Sequence, residues 1–512
     1  MPALVCLLLG QAPAEPAPPA PSFGVAWSVA AALADLRQQP EALRPALRYL
    51  YVGLDWGEQP EATKPAWVAV SKAANVGLSR SPFDIVPMDM HGGRLIRLNL
   101  AELALSEADA TNLRTTWDSM VSGEPFYHVN TWQLVDAKTV FTTADGRKVS
   151  GRWERQTVVH PRLAAGYAEL IAGANSPAPL LLAEWATIKI LSTVDGGKYY
   201  QFRGLRDRNG KALHTLDSYL RSRGADRAAS GRVGADERAA IFRSAVTGKP
   251  RQIEILRGGG VRPSVGTGLV AITYDISDGQ TKVQNDPLAN LLDFEASASE
   301  TILEIANGEH EFAIWNQPAG ELVDEVPPDV AADHTIPDPY TRRLQPAVGC
   351  LRCHGPQEGW QPFGNDVQRL LGGDVTLVGD LSAGFRAFDA TTLVRLRGLY
   401  GGNLAEPLRL GRNSLSDVTF RTCGGQTVPE AADAVAQVWR RYEYSLVGPA
   451  DALAMLGVEL PAGRDAAGVF AEVVPRAVGP EEPLIVALQR GIPIQRRQFE
   501  RVWPDILARC RR

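Results

Sequence analysis

The sequence predicts a multi-domain α+β protein, and three observations carry that expectation. The chain has 512 residues, more than one compact core usually holds, so several packed units are expected. Its middle alternates β-type runs around a tight-turn dipeptide, and its C-terminal part is a series of amphipathic helical runs. The reading divides it into residues 1–22, a signal-like segment and linker; 23–225, a mixed α/β region; 235–425, a β-rich block; and 426–512, a helical region.

In chain order, Ala3 to Gly10 is a short apolar run, and Ala12-Pro13-Ala14 is a small-x-small site of the kind a signal peptidase cuts. No Lys or Arg precedes the run, a departure from the usual layout. Glu15 to Pro21 reads as an extended Pro/Ala linker. Export to the periplasm or the exterior is the expectation. Cys6 lacks the small preceding residue of a lipoprotein site and reads as part of the apolar stretch.

Residues 23–56 read as helical, with Trp27, Val29, Ala32, Leu33 and Leu36 at near-helical spacing. Leu95 to Leu100 alternates apolar and polar residues, a strand following the Gly92-Gly93 turn. A helix is predicted through Leu113 and Trp117. Two more are predicted over 163–172 and 180–191, separated by a break at Ser176-Pro177. The Gly-, Arg- and Ser-rich stretch 221–234 marks a loop or boundary. Gly268 to Ile276 is a strand by residue type. Thr301 to Ile305 and Glu311 to Trp315 flank Asn307-Gly308, the dipeptide favoured in two-residue hairpin turns. Prolines between Val326 and Pro346 exclude regular structure there. Pro429 then opens a helix with Ala432, Val435, Val438, Trp439 and Tyr442 on one face. Shorter helices are predicted at 450–456, 466–473, 483–490 and 495–507. There is no repeat of solenoid period.

Composition narrows the function classes. A formal net charge of −5 offers no general attraction to nucleic acid or anionic lipid. Beyond the N-terminal run, no segment has the roughly 18 or more uninterrupted apolar residues of a membrane span. Five cysteines in 512 residues are too few for a disulfide-stapled scaffold.

Chemistry concentrates at Cys350-Leu351-Arg352-Cys353-His354. Cys-x-x-Cys-His is the attachment signature of c-type haem. Two thiols add to the porphyrin vinyl groups as thioethers, and the adjacent imidazole becomes the proximal iron ligand. Cys350 and Cys353 are therefore the expected tethers of one covalent haem c, and His354 its ligand. A structural zinc site would want a second Cys or His pair at short spacing, and none is present. A redox dithiol would want a strand-to-helix context, but the approach is proline-rich and Gly355-Pro356 follows. A disulfide between cysteines so close together is awkward.

Candidates for the second axial ligand are His334, in the loop just before the motif, and Met88, Met90 and Met455. An iron with one open face is the other option. Six-coordinate iron suits electron transfer, whereas an open face permits ligand or peroxide chemistry. Cys423 and Cys510 either pair in an oxidising compartment or stay free. Glu309-His310-Glu311 has the look of a metal cluster, yet it borders a turn and reads as a solvated rim. Gly258-Gly259-Gly260 lacks the Lys-Ser or Lys-Thr of a phosphate loop. Arg440-Arg441, Arg496-Arg497 and Arg511-Arg512 read as wet helix faces.

On these residues the chain resembles large exported c-type cytochrome-like proteins, common in planctomycetes, with a single Cys-x-x-Cys-His in mid-chain. The similarity spans residues 45–445. It runs through Leu47-Arg48-Tyr49-Leu50, Ala74 to Ser79, Leu95 to Leu100, and Trp185. It is closest from Tyr274-Asp275 through Ile305-Ala306-Asn307-Gly308 and Pro327 to Asp333, up to Cys350. Ala347-Val348-Gly349 before the motif departs from the group's pattern, and so does the hairpin, which lacks a Leu-Pro. The resemblance implies export and haem, and it implies no reaction. It does not imply a plain small cytochrome c fold, because a proline-rich loop after a hairpin leads into the motif.

The expected function is electron transfer by an exported haem protein that works with a redox partner protein. Two alternatives are a haem enzyme with an open iron face, and a non-catalytic surface module organised by a structural haem or metal. No nucleic-acid partner is expected.

Overall fold

The computed structural model describes residues 25–510, apart from 54–55, 57–59, 124–127, 143–147, 160–163, 224–237, 242–243, 245–248, 257–268, 278–289, 293–294, 328–329, 333–341, 355–364, 373–388, 403–404, 457, 459 and 476–481. The signal-like segment, Cys6, Gly258 to Gly260, His334 and Arg511-Arg512 lie outside the described residues, as does the Cys353 side chain. The fold is mixed α+β. Among the described residues no helix is long and apolar enough to cross a membrane.

The N-terminal region builds a four-stranded sheet. Helix α1 (Val25–Gln38) stops before Pro40, and the chain then enters strand β1 (Leu47–Tyr51). The sequence reading carried the helix to residue 56 and so is corrected here. All five residues of β1 are buried, so it lacks the alternation that marks a half-buried strand. Helix α2 (Lys64–Ala73) runs into a π-helical turn, Ala74–Leu78. Strands β2 (Met88–Met90) and β3 (Leu95–Asn99) follow, then α3 (Glu107–Ser119), whose Ser106 cap accepts from the Asp109 amide. Beyond the pair β4 (His128–Thr142) and β5 (Lys148–Val159) come α4 (Ala164–Ala174), β6 (Leu180–Leu182) and α5 (Ala183–Leu191). The segment expected to be helical from 180 thus opens as a buried strand, parallel to β1. The sheet order is β2-β3-β1-β6. Short helices α6 (Tyr199–Phe202) and α7 (Leu216–Ser222) complete the region.

The middle block is a six-stranded antiparallel meander: β7 (Arg238–Ile241), β8 (Arg251–Leu256), β9 (Val270–Asp275), β10 (Ala298–Glu304), β11 (His310–Asn316) and β12 (Glu321–Val323). The hairpin between β10 and β11 forms where Asn307-Gly308 predicts it, but its loop is longer than two residues. Ile305 N–H donates to Glu309 O, and Gly308 N–H donates back to Ile305 O. Gly308 has φ 86°, a left-handed value that glycine takes without a Cβ clash. A described part of the proline-rich approach packs Val326, Val330, Ala331 and Leu344 on Ile314.

Helix α8 (Val348–His354) carries the motif, and α9 (Asp366–Leu371), α10 (Ala390–Tyr400) and α11 (Ala405–Thr422) follow. Helix α12 (Val428–Tyr444) starts with Thr427 and Glu430 satisfying each other's backbone amides, an arrangement worth about 1 kcal/mol. Its expected apolar face, Ala432, Val435, Val438, Trp439 and Tyr442, is buried. It packs on α2, α5 and α8. Strand β13 (Leu446–Val447), helices α13 (Pro449–Met455), α14 (Ala466–Val473) and α15 (Glu482–Gln489), strand β14 (Ile494–Gln495) and α16 (Arg496–Arg509) close the chain. The largest apolar cluster runs from Val29 to Ile506 and so joins the three expected regions.

One smaller correction concerns the basic pairs. Arg496 is buried and donates to Ser445 Oγ at 2.8 Å, so it is not on a wet face. Exposed Arg441 lies 4.1 Å over the Trp56 ring. Cys423 and Cys510 are not joined in a disulfide; burial pushes the Cys423 thiol up.

Candidate haem-attachment site

Helix α8 places its motif by simple periodicity. Residues four apart share a helix face, so Cys350 and His354 belong to one side. Leu351 is buried, and Arg352 lies 4.0 Å over the Trp439 ring of α12, which fixes the helix against the C-terminal region. Ala347, just before α8, has φ 56°, which turns the chain sharply out of the proline-rich approach.

Opposite the motif stands one face of the hairpin. The register pairs Glu300 with Ile314, Ile302 with Phe312 and Glu304 with His310. Alternation puts those six side chains on the same side of the sheet. The Cys350 thiol, only 3% exposed, donates to Glu300 Oε1 at 2.9 Å. His354 is half-buried, and its ring centroid lies 6.2 Å from that of Phe312 at an interplanar angle of 35°. His310 also stands 6.2 Å from Phe312, edge-on at 78°.

His310 overturns the expectation of a solvated rim. It is 2% exposed, and Glu309 and Glu311 are 0% exposed. The reason is tertiary: the hairpin end inserts between the π-helical turn and α11. Glu309 takes both oxygens to Lys72 Nζ at 2.7 and 2.6 Å, and Thr419 Oγ1 of α11 accepts from the same lysine at 2.9 Å. Asn307 donates to Asn75 O in the π-helical turn. On the reverse face of the sheet, Glu311 accepts from Arg203 at 2.5 Å, Tyr219 at 2.7 Å and Arg223 at 3.1 Å. Burial pushes the Glu311 carboxyl up, but Arg223 and Arg203 outweigh it and hold it at about 2. Burial, with Lys72 and His354 nearby, pushes the His310 imidazole down to about 3, so it is neutral.

By residue type the motif offers the donors of a c-type haem. The Cys350 thiol and the His354 imidazole share one short helix, and the neutral, buried His310 imidazole stands in the sheet face that helix packs on. The cavity next to Glu300, lined by Ile314, Ala331 and Leu344, is about 20 Å³. That corner is packed with protein and has no room for a macrocycle. Among the described residues, no three His, Cys, Asp or Glu side chains form a ready cage for a bare metal ion. A larger cavity of about 370 Å³ lies elsewhere, lined by Trp185, Lys198, Tyr442 and Glu500. The motif, not this cavity, carries identifiable cofactor chemistry.

The methionines proposed as axial ligands are placed apart from α8. Exposed Met88 and half-buried Met90 are on edge strand β2 of the N-terminal sheet. Half-buried Met455 ends α13 and packs on the main core. The residues that sequence reasoning missed are Glu300, Glu304 and Phe312, while His310 was singled out but read as solvated. Their signal is present as two short alternating runs on the arms of a recognised hairpin. Comparison with protein-family models, with curated proteins and with solved structures finds no match for this chain.

Proposed function

We propose that this chain is an exported c-type haem protein that relays electrons, with one haem c joined to Cys350 and Cys353 and ligated by His354. The observation that carries the reading is the intact Cys-x-x-Cys-His on one helix, packed against a buried sheet face. When bound, haem supplies a one-electron Fe(III)/Fe(II) couple. The chain's own residues hold and shield it: Phe312 packs beside the proximal imidazole, and Arg352 on Trp439 locks the helix. A redox partner protein in the periplasm or outside the cell, and kinship with the large planctomycete-type cytochrome-like proteins, belong to the same proposal.

Producing the full chain with a cytochrome c maturation system tests it. The expected result is Soret absorbance that stays on the polypeptide after acid–acetone extraction and disappears in Cys350→Ala/Cys353→Ala. Complete loss of that absorbance from the unaltered chain overturns the reading. Zinc in place of iron by mass spectrometry would favour a structural metal module instead.

A further inference from the structure

We propose that a second pocket, behind the hairpin, is a phosphate site in which Arg80, Arg203 and Arg223 hold a tetrahedral oxyanion, either the free ion or the phosphate group of a small ester. The pocket has a volume of about 190 Å³, and all three arginines line it, with Asp109 and the apolar Leu303 and Ile305. Water takes roughly 30 Å³ per molecule in the liquid, so the space equals about six waters. That suits a small oxyanion and is independent of the haem reading.

Three separate elements deliver the guanidinium groups. Arg80 leaves the π-helical turn, its amide fixed to Leu103 O at 2.7 Å. Arg203 directly follows α6, and Arg223 directly follows α7. Gly204 has φ 69°, and a Cβ there would stand 3.4 Å from Arg80 Nη2. The turn after α6 therefore lies against the Arg80 guanidinium, and Arg80 Nη2 donates to Phe202 O. Leu303 pairs with Glu311 in register, so it faces the arginines, whereas alternation turns the Glu304 side chain to the opposite face of the sheet with His310.

The internal partners do not use up the donors. Arg203 gives Nε to Glu311 and Nη1 to Ser79 O, and Arg223 gives Nη2 to Glu311 and Arg203 O. Among the described residues, nothing accepts a hydrogen bond from Arg203 Nη2, from Nε and Nη1 of Arg80, or from Nε and Nη1 of Arg223. Arg203 is only 3% exposed, so water cannot freely replace the missing acceptor. Charge is unbalanced too. Three guanidiniums face two carboxylates: Glu311 is shared by Arg203 and Arg223, and Asp109 lies 3.6 Å from Arg80, beyond hydrogen-bonding distance. Burial, with Arg203 and Arg223 close by, pushes the Arg80 guanidinium down to about 10, consistent with an unneutralised positive field. Anchoring the hairpin through Glu311 accounts for two of the arginines but not for the third. A planar carboxylate has two oxygens, whereas phosphate has four and can meet forks arriving from three elements at once.

The test is isothermal titration calorimetry of the full-length chain with inorganic phosphate, glycerol phosphate and malonate, at constant ionic strength. One saturable phosphate site per chain is expected, with malonate bound more weakly. Glycerol phosphate bound as tightly as phosphate assigns the site to an ester head group, and its exclusion assigns it to the free ion. Losing hydrogen bonds to a charged group costs about tenfold to a hundredfold in affinity, the weakening expected in Arg80→Met. Asp109→Asn removes the carboxylate that competes for Arg80 and should bind phosphate severalfold more tightly, a gain that a merely structural cluster would not show. Arg440→Met, which removes an exposed charge on α12, should match the unaltered chain. Absence of saturable phosphate binding, malonate bound as tightly as phosphate, unchanged affinity in Arg80→Met, or an equal loss in Arg440→Met overturns the proposal. If Arg80→Met does not fold, Asp109→Asn decides, and no gain there overturns it. No readout involves haem, so failure of the haem reading leaves this test intact.

Discussion

Lys72→Met should be among the most damaging single substitutions outside the motif. Lys72 and Glu309 are 1% and 0% exposed, with Nζ–Oε distances of 2.7 and 2.6 Å. The ammonium has three donors, and the third goes to Thr419 at 2.9 Å, so none is wasted. At an effective dielectric near 20, Coulomb attraction at such a distance is about 6 kcal/mol. Desolvating each ion costs several kcal/mol, so the pair as a whole stabilises little. Removing one member leaves the other charged and buried, which costs about 3–5 kcal/mol. The double variant Lys72→Met/Glu309→Leu removes both charges and should recover most of that loss. Urea unfolding followed by tryptophan fluorescence, with the midpoint compared at constant slope, measures all three proteins. A loss below about 1 kcal/mol in Lys72→Met, or a double variant no more stable than the single, refutes the reasoning.

Further outcomes follow from the same geometry. Glu311 has a folded value near 2 against an ordinary 4.5. Its stabilisation is therefore fully present above about pH 4.5 and is lost as pH falls through about 2. Glu311→Gln should flatten that acid limb in thermal melts while lowering stability at neutrality; an unchanged limb counts against the cluster. Burial lifts half-buried Glu500 to about 7, so its contribution is present below about pH 4.5 and lost as pH rises through about 7. Glu500→Gln should remove that decline, and melts on either side of neutrality that still fall in parallel would show it has no such role. A Cβ on Gly77 would stand 2.5 Å from Ile190 Cγ2 and 3.3 Å from the Ile190 carbonyl oxygen. Gly77→Ala should cost about 1–3 kcal/mol, read as a lower Tm; an unaltered Tm contradicts the close packing of the π-helical turn on α5.

Legibility in the sequence tracks how local the cause of each feature is. Strand β3, the hairpin arms and α12 are readable because alternation, turn residues and a capping pair lie within a few positions of one another. Strands β1 and β6 are not, because both are buried throughout, and a short run such as Leu180–Leu182 has no period to distinguish strand from helix. The motif at Cys350 is legible as a pentapeptide. Its surroundings are not: Glu309 to Glu311 are polar beside a turn, and only partners 237 and 108 residues away, Lys72 and Arg203, make their burial possible. A rule that sends charged turn residues to solvent fails where another part of the chain supplies the countercharge.

The anchoring of the hairpin end also bears on the order of assembly. Glu309 meets Lys72 across 237 residues, Lys72 meets Thr419 across 347, and Ser71 bonds Thr422 across 351. Contacts so distant in sequence carry a large loop-closure entropy and form late. They cannot form until α11 has been made and has returned to α2. Cys350 is enclosed in the finished fold, its thiol held by Glu300 of β10. On the proposed haem reading, a group joined to this thiol would have to arrive while the chain is still open, so folding speed would compete with attachment.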